Sequence, residues 1–413
     1  MAKWKQEFNP GELVRSIEKT RIVADDGSIS FKGWETKIHD TLLYSMIDFS
    51  EEIPEIDGRG IARKSIFDAG KKGEITPKSL LSEVNRNEGN YINLPIQRFV
   101  LATSISISQF TKLDRIFIGR IQIIFENHLP DRFIREAAEL RIEAERILYA
   151  DPPNNYKAVR VHVSAKSHSD AADKALDALD LIRGVWNLYG NIKGISRWSI
   201  GGKPIPINMI ILGPYHTLHF PSGALASTSR WWFEPNYLGA VTPHRIENRM
   251  RLDKYTMDIR SRLDKSHYGK LLENAIIRYV RALDERYWNN AFIRLWGVLE
   301  LLTDTVKKSN EETIKRAAYC HEDYDFTLQI LKHLREHRNR SVHADVENSE
   351  MESFLYQLKN IIEVLIYFHL GNAYGFKSIK EAGNFLSLPH DKDALNLRVD
   401  LANYALKYLG HKR

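Results

Sequence analysis

Cysteine is almost absent from this sequence, and its scarcity excludes several kinds of site. The chain of 413 residues contains one cysteine, Cys320. A single thiol cannot close an internal disulfide, and it cannot supply the several thiolates of a typical structural zinc site. We therefore expect a fold without disulfides in a reducing compartment, where Cys320 is a structural thiol.

Long hydrophobic runs are also missing. A membrane-spanning helix needs about 20 consecutive apolar residues. The most apolar run, IIEVLIYFHL, is shorter than that and is interrupted by Glu363 and His369. The first residues, MAKWKQEFNPGEL, contain no apolar stretch of the secretory type. We expect a cytoplasmic protein with no membrane partner.

The bulk composition is that of a globular protein. Hydrophobic residues make up 43% of the chain and charged residues 27%, which is sufficient for a sizeable core. At about 100–200 residues per domain, the length indicates two or three domains. A net charge of +6 permits a phosphate-rich partner such as RNA but does not require one.

The sequence pattern changes near residue 245. Before it, glycine and proline are frequent, and alternating β-branched segments are interspersed with helical ones. After it, helical periodicity is almost continuous and the connections are short and polar, as in a bundle. The sequence therefore predicts an α+β protein: a mixed α/β domain with a central sheet at 1–245, followed by an all-α helical bundle at 246–413.

Individual elements follow from spacing and from end signals. Thr76 as N-cap and Pro77 as the first helical residue predict a helix that begins at 77. The predicted strands are 97–108, 114–126, 156–167, PINMIIL (206–212) and YHTLHF (215–220). The predicted helices are 10–20, 33–48, 77–86, 131–149, 169–189, 244–264, 267–286, 289–307, 311–320, 325–344, 350–370 and 391–409.

One segment, LKHLREHRNRSVHAD (331–345), carries candidate chemistry. Arg338 is followed five positions later by His343. Five residues turn a helix by about 140°, so the two side chains project from adjoining faces and a long arginine can reach toward the histidine. Asn339 and His343 are four apart and share a face, where the amide could orient the imidazole.

These residue types suit the cleavage of RNA without a metal ion. Histidine can move the proton of a 2′-hydroxyl or of a leaving oxygen, because its pKa lies near neutrality. Arginine presents a planar fork of donors that matches phosphate oxygens. One such pair is a small active site, whereas two copies at a two-fold axis would supply base, acid and clamp.

The sequence around this motif resembles the HEPN superfamily, in particular its Apea-like branch. The resemblance covers roughly 262–375 and includes AFIRLWGVLELLTDTVKK (291–308) and EMESFLYQLKNIIEVLIYFHL (350–370). It implies an endoribonuclease that needs no metal or other cofactor, acts on RNA and forms a homodimer through the HEPN domain. Arg338 and His343 would be catalytic and Asn339 supporting. Many members of the superfamily are toxins or antiviral effectors of abortive infection.

The same resemblance implies a trigger for activity. A phage or host protein would act through residues 1–245, which would sense or position the target. The nucleotidyltransferase-paired branch of the superfamily has a tyrosine two positions after the histidine, and here that residue is Asp345. We therefore do not assign the chain to that branch.

Several alternatives stay open at the level of sequence. Glu300 could pair with Arg338 or orient His343, or it could be a helix acid that is satisfied elsewhere. The helical part could be a non-catalytic HEPN module that dimerises or binds RNA beside a sensor domain. His333 and His337 have a spacing that metal ligands use, but Leu334 stands where an HExxH motif needs glutamate, and we expect no metal site.

Overall fold

The computed structural model describes the chain except residues 114, 149–152, 154, 194–205, 229, 238, 240, 307, 342–349 and 411–413. The fold is α+β, as the sequence predicts. The helices are α1 (Pro10–Thr20), α2 (Glu35–Met46), α3 (Glu55–Lys71), α4 (Pro77–Ile92), α5 (Asp131–Glu136), α6 (Ala138–Leu148), α7 (His168–Ile192), α8 (Arg249–Lys265), α9 (Gly269–Leu283), α10 (Trp288–Leu302), α11 (Asn310–Ala318), α12 (Tyr324–Ser341), α13 (Met351–Gly371), α14 (Ile379–Leu386) and α15 (Lys392–Gly410). The strands are β1 (Lys3–Trp4), β2 (Arg21–Val23), β3 (Ile29–Phe31), β4 (Ile47–Asp48), β5 (Gln97–Ser108), β6 (Ile116–Ile118), β7 (Ile121–Glu126), β8 (Tyr156–Ala165), β9 (Tyr215–His219) and β10 (Trp232–Phe233).

Helices α1–α4 enclose a hydrophobic core of their own, with Ile17 and Leu43 completely buried in it. The predicted start of α4 is confirmed: Thr76 and Ser79 form a reciprocal capping box, and the amide of Ser79 lies 3.1 Å from the Thr76 hydroxyl. Asp57 on α3 accepts hydrogen bonds from Tyr91 (2.7 Å) and from Ser167 (2.8 Å). This helical unit is thus tied to the sheet at the start of α7.

The central sheet has six antiparallel strands in the order β10-β9-β5-β8-β7-β6. One face packs on α7, where Phe125 meets Trp186 with ring centroids 5.4 Å apart. The other face is covered by the short helices α5 and α6, where Phe133 meets His219 at 5.1 Å. The predicted strands 97–108, 156–167 and 215–220 are confirmed as β5, β8 and β9.

Three predicted elements of this region differ in the structure. Segment 114–126 is a hairpin rather than one strand: Ile118 pairs with Ile121, and Gly119 between them has a φ of 54°. Helix 131–149 is interrupted at Ala137. PINMIIL forms no regular strand: Leu212 makes an isolated bridge to Ile105 of β5, while the amide of Ile210 lies 3.0 Å from Asn187 Oδ1 on α7.

The helices after residue 245 form a bundle whose core is continuous with the core beneath the sheet. Helix α7 lies against α9 at Gly184, where a Cβ atom would come within 2.7 Å of Ile276. Glycine therefore sets the close approach of these two helices. The two sides of residue 245 share one core, and the division of labour between 1–245 and 246–413 stays a prediction.

The chain ends in α15, in which no residue is buried. Helices α3 and α14 were not predicted, whereas the predicted helices 350–370 and 391–409 are confirmed as α13 and α15. Among the residues that the structure describes, no helix combines the length and the apolar character needed to cross a membrane.

Candidate functional site

Helix α12 carries the predicted motif and is fixed at its N-terminal end by Asp323, whose carboxylate accepts from the amide of Phe326 at 2.9 Å. Its buried face follows Thr327, Leu331 and Leu334, spaced by four and three residues. Arg338 occupies the next position of that stripe and is half-buried. The side chain of Arg338 therefore projects from the packed side of α12 and not from its solvated side.

Glu300 on α10 is an acidic residue that feels the charge of Arg338. Burial raises the pKa of the Glu300 carboxyl group above its ordinary value, while the positive charge of Arg338 acts in the opposite direction. The indole N–H of Trp296, one turn earlier on α10, also lowers the pKa of Glu300. The contact between this N–H and the carboxyl group does not have the geometry of an ordinary hydrogen bond. Glu300 thus lies within electrostatic reach of Arg338.

Two histidines of α12 have packing roles. His337 is 7% exposed, and its ring meets Phe292 at 5.2 Å and Phe354 at 5.0 Å. His333, which is exposed, meets the same Phe354 ring at 5.0 Å. The two rings therefore share an aromatic side chain of α13. In the part of the chain that the structure describes, no group of three or more histidine, cysteine or acidic residues could hold a metal ion.

The other predicted site residues divide into two cases. Asn339 is exposed, on the solvent side of α12. His343 lies outside the described residues. The structure places Glu300 within electrostatic reach of Arg338, while the meeting of Arg338 with His343 stays a prediction.

The C-terminal end of α10, just beyond Glu300, is held by two buried cationic or titratable side chains that the sequence analysis did not single out. Arg316 is 3% exposed and donates to the carbonyl oxygen of Thr303 at 2.6 Å. His369 is 1% exposed, and its Nε2 lies 2.8 Å from the carbonyl oxygen of Leu302. Both satisfy carbonyl groups that a helix end leaves without a partner.

The state of His369 follows from its partners. Nε2 faces a carbonyl oxygen and must therefore carry the hydrogen, so Nδ1 accepts from the hydroxyl of Tyr268 at 3.1 Å. Burial lowers the pKa of His369 to about 4. The imidazole is therefore neutral at pH 7. In the sequence, the one sign of a special role for His369 is that it interrupts an apolar run.

Helix α11 holds the outer side of α12. Glu311 of α11 pairs with Arg335 of α12 at 2.6 Å, and Arg316 of α11 donates to Thr303 at the end of α10 while it pairs with Glu312 at 2.6 Å. One helix thus braces both elements that carry Arg338 and Glu300. Cys320, close behind α11, is half-buried, and burial raises the pKa of its thiol to about 12.

A scan against protein-family models and searches of curated proteins and of solved structures found no match to this chain. The resemblance to the HEPN superfamily therefore depends on the residues of the sequence alone.

Proposed function

We propose that this chain is a metal-independent endoribonuclease of the HEPN type, with its active site at the C-terminal end of α12. The observation that carries the proposal is the position of Arg338, half-buried on α12 and within electrostatic reach of the carboxyl group of Glu300. A solvated basic helix face would place its arginines away from the core. An arginine that continues the packed stripe of α12 has a restricted side chain, which is what a phosphate clamp requires.

The proposed reaction is an internal transfer at phosphorus. The 2′-oxygen of a ribose attacks the adjacent phosphate, and the bond from phosphorus to the 5′-oxygen breaks. The products are a 2′,3′-cyclic phosphate and a 5′-hydroxyl end. His343 takes the proton from the 2′-hydroxyl or gives one to the 5′-oxygen, and Arg338 binds the non-bridging oxygens as their charge grows. Asn339 orients the imidazole, Glu300 orients the guanidinium, and a second copy supplies the other proton-transfer group.

The experiment is an RNA cleavage assay in EDTA with purified protein. Wild type is expected to cut a labelled RNA and to leave cyclic phosphate ends, while His343→Ala and Arg338→Ala are inactive. His333→Ala is the matched control, because His333 is an exposed histidine on the same helix. Circular dichroism confirms that each variant is folded. Equal cleavage by wild type and His343→Ala would contradict the proposal that this chain is the nuclease.

In the same proposal the protein is a cytoplasmic toxin or abortive-infection effector, and residues 1–245 respond to a phage or host protein. The cell experiment expresses wild type and His343→Ala in bacteria with and without phage infection. We expect growth arrest and RNA loss in cells that express wild type and not in cells that express His343→Ala. If residues 1–245 keep the active site inactive, both effects should appear only after phage infection. Triggered cells in which the protein binds RNA without cutting it would favour the non-catalytic module.

A further inference from the structure

Helix α15 presents a large apolar surface that the described residues of its own chain leave mostly exposed. None of the residues Lys392–Gly410 is buried. Seven of its large apolar side chains are 55–69% exposed, and Leu395 is half-buried; the seven are Leu397, Val399, Leu401, Tyr404, Leu406, Tyr408 and Leu409. A single helix of this length is marginal in water, and most helices depend on packing of an apolar face. The helix therefore requires a partner.

The apolar residues of α15 follow two stripes. The first seam is Leu395, Val399, Ala402, Leu406 and Leu409, spaced 4, 3, 4 and 3 residues apart. The second seam is Leu397, Leu401, Tyr404 and Tyr408, spaced 4, 3 and 4 apart. Asn396, Asp400, Asn403 and Lys407 lie on the remaining side. Alternate spacings of three and four are the pattern of a helix that packs along another helix.

The first seam is nearly symmetric about its centre. Leu395 and Leu409 lie seven residues on either side of Ala402. In an antiparallel pair with a two-fold axis at Ala402, Leu395 of one copy faces Leu409 of the other, and Val399 faces Leu406. The small side chain of Ala402 lets the two backbones approach at the axis. Such self-complementarity is the property of an interface between identical chains.

The area agrees with a stable pair. The two seams together present on the order of 800 Å² of apolar side chain, and this matches the ~800 Å² per partner that a standard interface buries only when both seams are covered. Val399 and Leu401 are two positions apart, so the second seam points about 200° away from the first. A partner helix on the first seam leaves the second seam open, and a dimer covers it only with the body of the second copy, while the polar side of α15 remains in water.

We propose that α15 is a dimerisation arm: it pairs in antiparallel fashion with α15 of a second copy of this chain and covers its second seam on that copy. The pairing does not depend on the nuclease proposal. A nuclease built from two copies of Arg338 and His343 would, however, need such a pair, and the arm would supply it without using residues of the motif.

The test is the mass of the protein in solution, measured by sedimentation equilibrium at micromolar concentration. Wild type is expected at twice the 47.8 kDa of one chain, and Val399→Asp/Leu406→Asp at the single mass. Asn396→Asp/Asn403→Asp is the matched control, since it adds the same charge on the polar side of the same helix, and it should keep the double mass. Circular dichroism should show that both variants keep the wild-type helix content, because no residue of α15 is buried in the single chain.

Disulfide trapping tests the direction of the pair. Under oxidation, A402C should cross-link to itself, whereas L395C and L409C should cross-link only when the two variants are mixed. Self-cross-linking of L395C alone would overturn the antiparallel arrangement.

Three results would overturn the arm itself: wild type at the single mass, a double mass that survives Val399→Asp/Leu406→Asp, or a single-mass protein that floats with phospholipid vesicles. Mass reports on the arm and cleavage reports on the nuclease, so the failure of one is distinguishable from the failure of the other.

Discussion

Arg183 on α7 and Asp284 at the end of α9 form a buried ion pair, with Nη1 2.9 Å from Oδ1 and a second bond from Nη2 to Oδ2. Arg183 is 0% exposed, and its Nε also donates to Asp180 at 2.7 Å. Arg281 on α9 pairs with the same Asp180 and with Glu234, which follows β10. These charges connect the sheet, α7 and the bundle across the compositional change near residue 245.

Removal of Arg183 should destabilise the protein strongly. Arg183→Met removes a buried cation from the buried Asp180 and from the partly buried Asp284, and breaking a buried pair in this way costs about 3–5 kcal/mol. Urea denaturation measures the change. Arg262→Met is the control, because Arg262 pairs with Asp258 on the exposed surface of α8 and such pairs contribute ~0–1 kcal/mol. Equal losses in the two variants would contradict a structural role for the buried pair.

The identity of the cation at position 338 should matter for cleavage. Arg338→Lys keeps the charge but loses the planar fork that binds two phosphate oxygens, so we expect the cleavage rate to fall at least tenfold. Arg335→Lys, on the same helix and paired with Glu311, should cleave at a rate close to wild type. RNA cleavage in EDTA measures both. A fully active Arg338→Lys would mean that the guanidinium does not clamp phosphate.

Glu300 should make stability depend on pH in a defined direction. Burial raises the folded-state pKa of Glu300 above its ordinary value. The folded protein therefore holds that proton more tightly than the unfolded chain, and stability is lost as the pH rises through this range. Glu300→Gln should melt at a higher temperature than wild type at pH 7, and the difference should shrink below the ordinary glutamate pKa. A lower melting temperature at pH 7 would instead show that the charge on Glu300 stabilises Arg338.

His369 should have the opposite pH dependence. Its pKa is lowered from 6.5 to about 4 by burial, so the unfolded chain takes up the proton first and stability is lost as the pH falls below 6.5. Between pH 7.5 and pH 5 the loss is about 2 kcal/mol. His369→Gln keeps a donor for Leu302 and removes this titration. Urea denaturation at the two pH values should show a smaller decrease for the variant; equal decreases would contradict a neutral His369.

Capping and periodicity predicted the helices well where local chemistry decides the structure. Thr76 and Pro77 mark the start of α4, and the run at 350–370 differs from α13 by one residue at each end. The prediction of one strand at 114–126 was wrong because a two-residue turn at Gly119 divides the segment into two strands. The alternating pattern of the sequence continues across this turn and does not reveal it. The prediction of a strand at PINMIIL was wrong because only Leu212 bridges to β5, while the amide and the carbonyl oxygen of Ile210 bond to the side chain of Asn187 on α7.

The candidate site could also be predicted from the sequence only in part. The packed stripe of α12 could be read from Leu331 and Leu334, and so could the place of Arg338 at its end. The link between Glu300 and Arg338 was one of three alternatives, because the distance between α10 and α12 depends on the whole bundle. Arg316 and His369 were missed, since no local spacing shows that a polar side chain will end a helix from another part of the chain.

The thiol of Cys320 has a practical consequence for chemical labelling. Burial holds its pKa near 12, so the reactive thiolate is scarce at the pH values where maleimides and iodoacetamide are used. A cysteine introduced on an exposed helix would react far faster than the native one. Fluorophores and spin labels can therefore be attached at chosen positions of the otherwise natural chain, and distances between labels in two copies can be measured in solution.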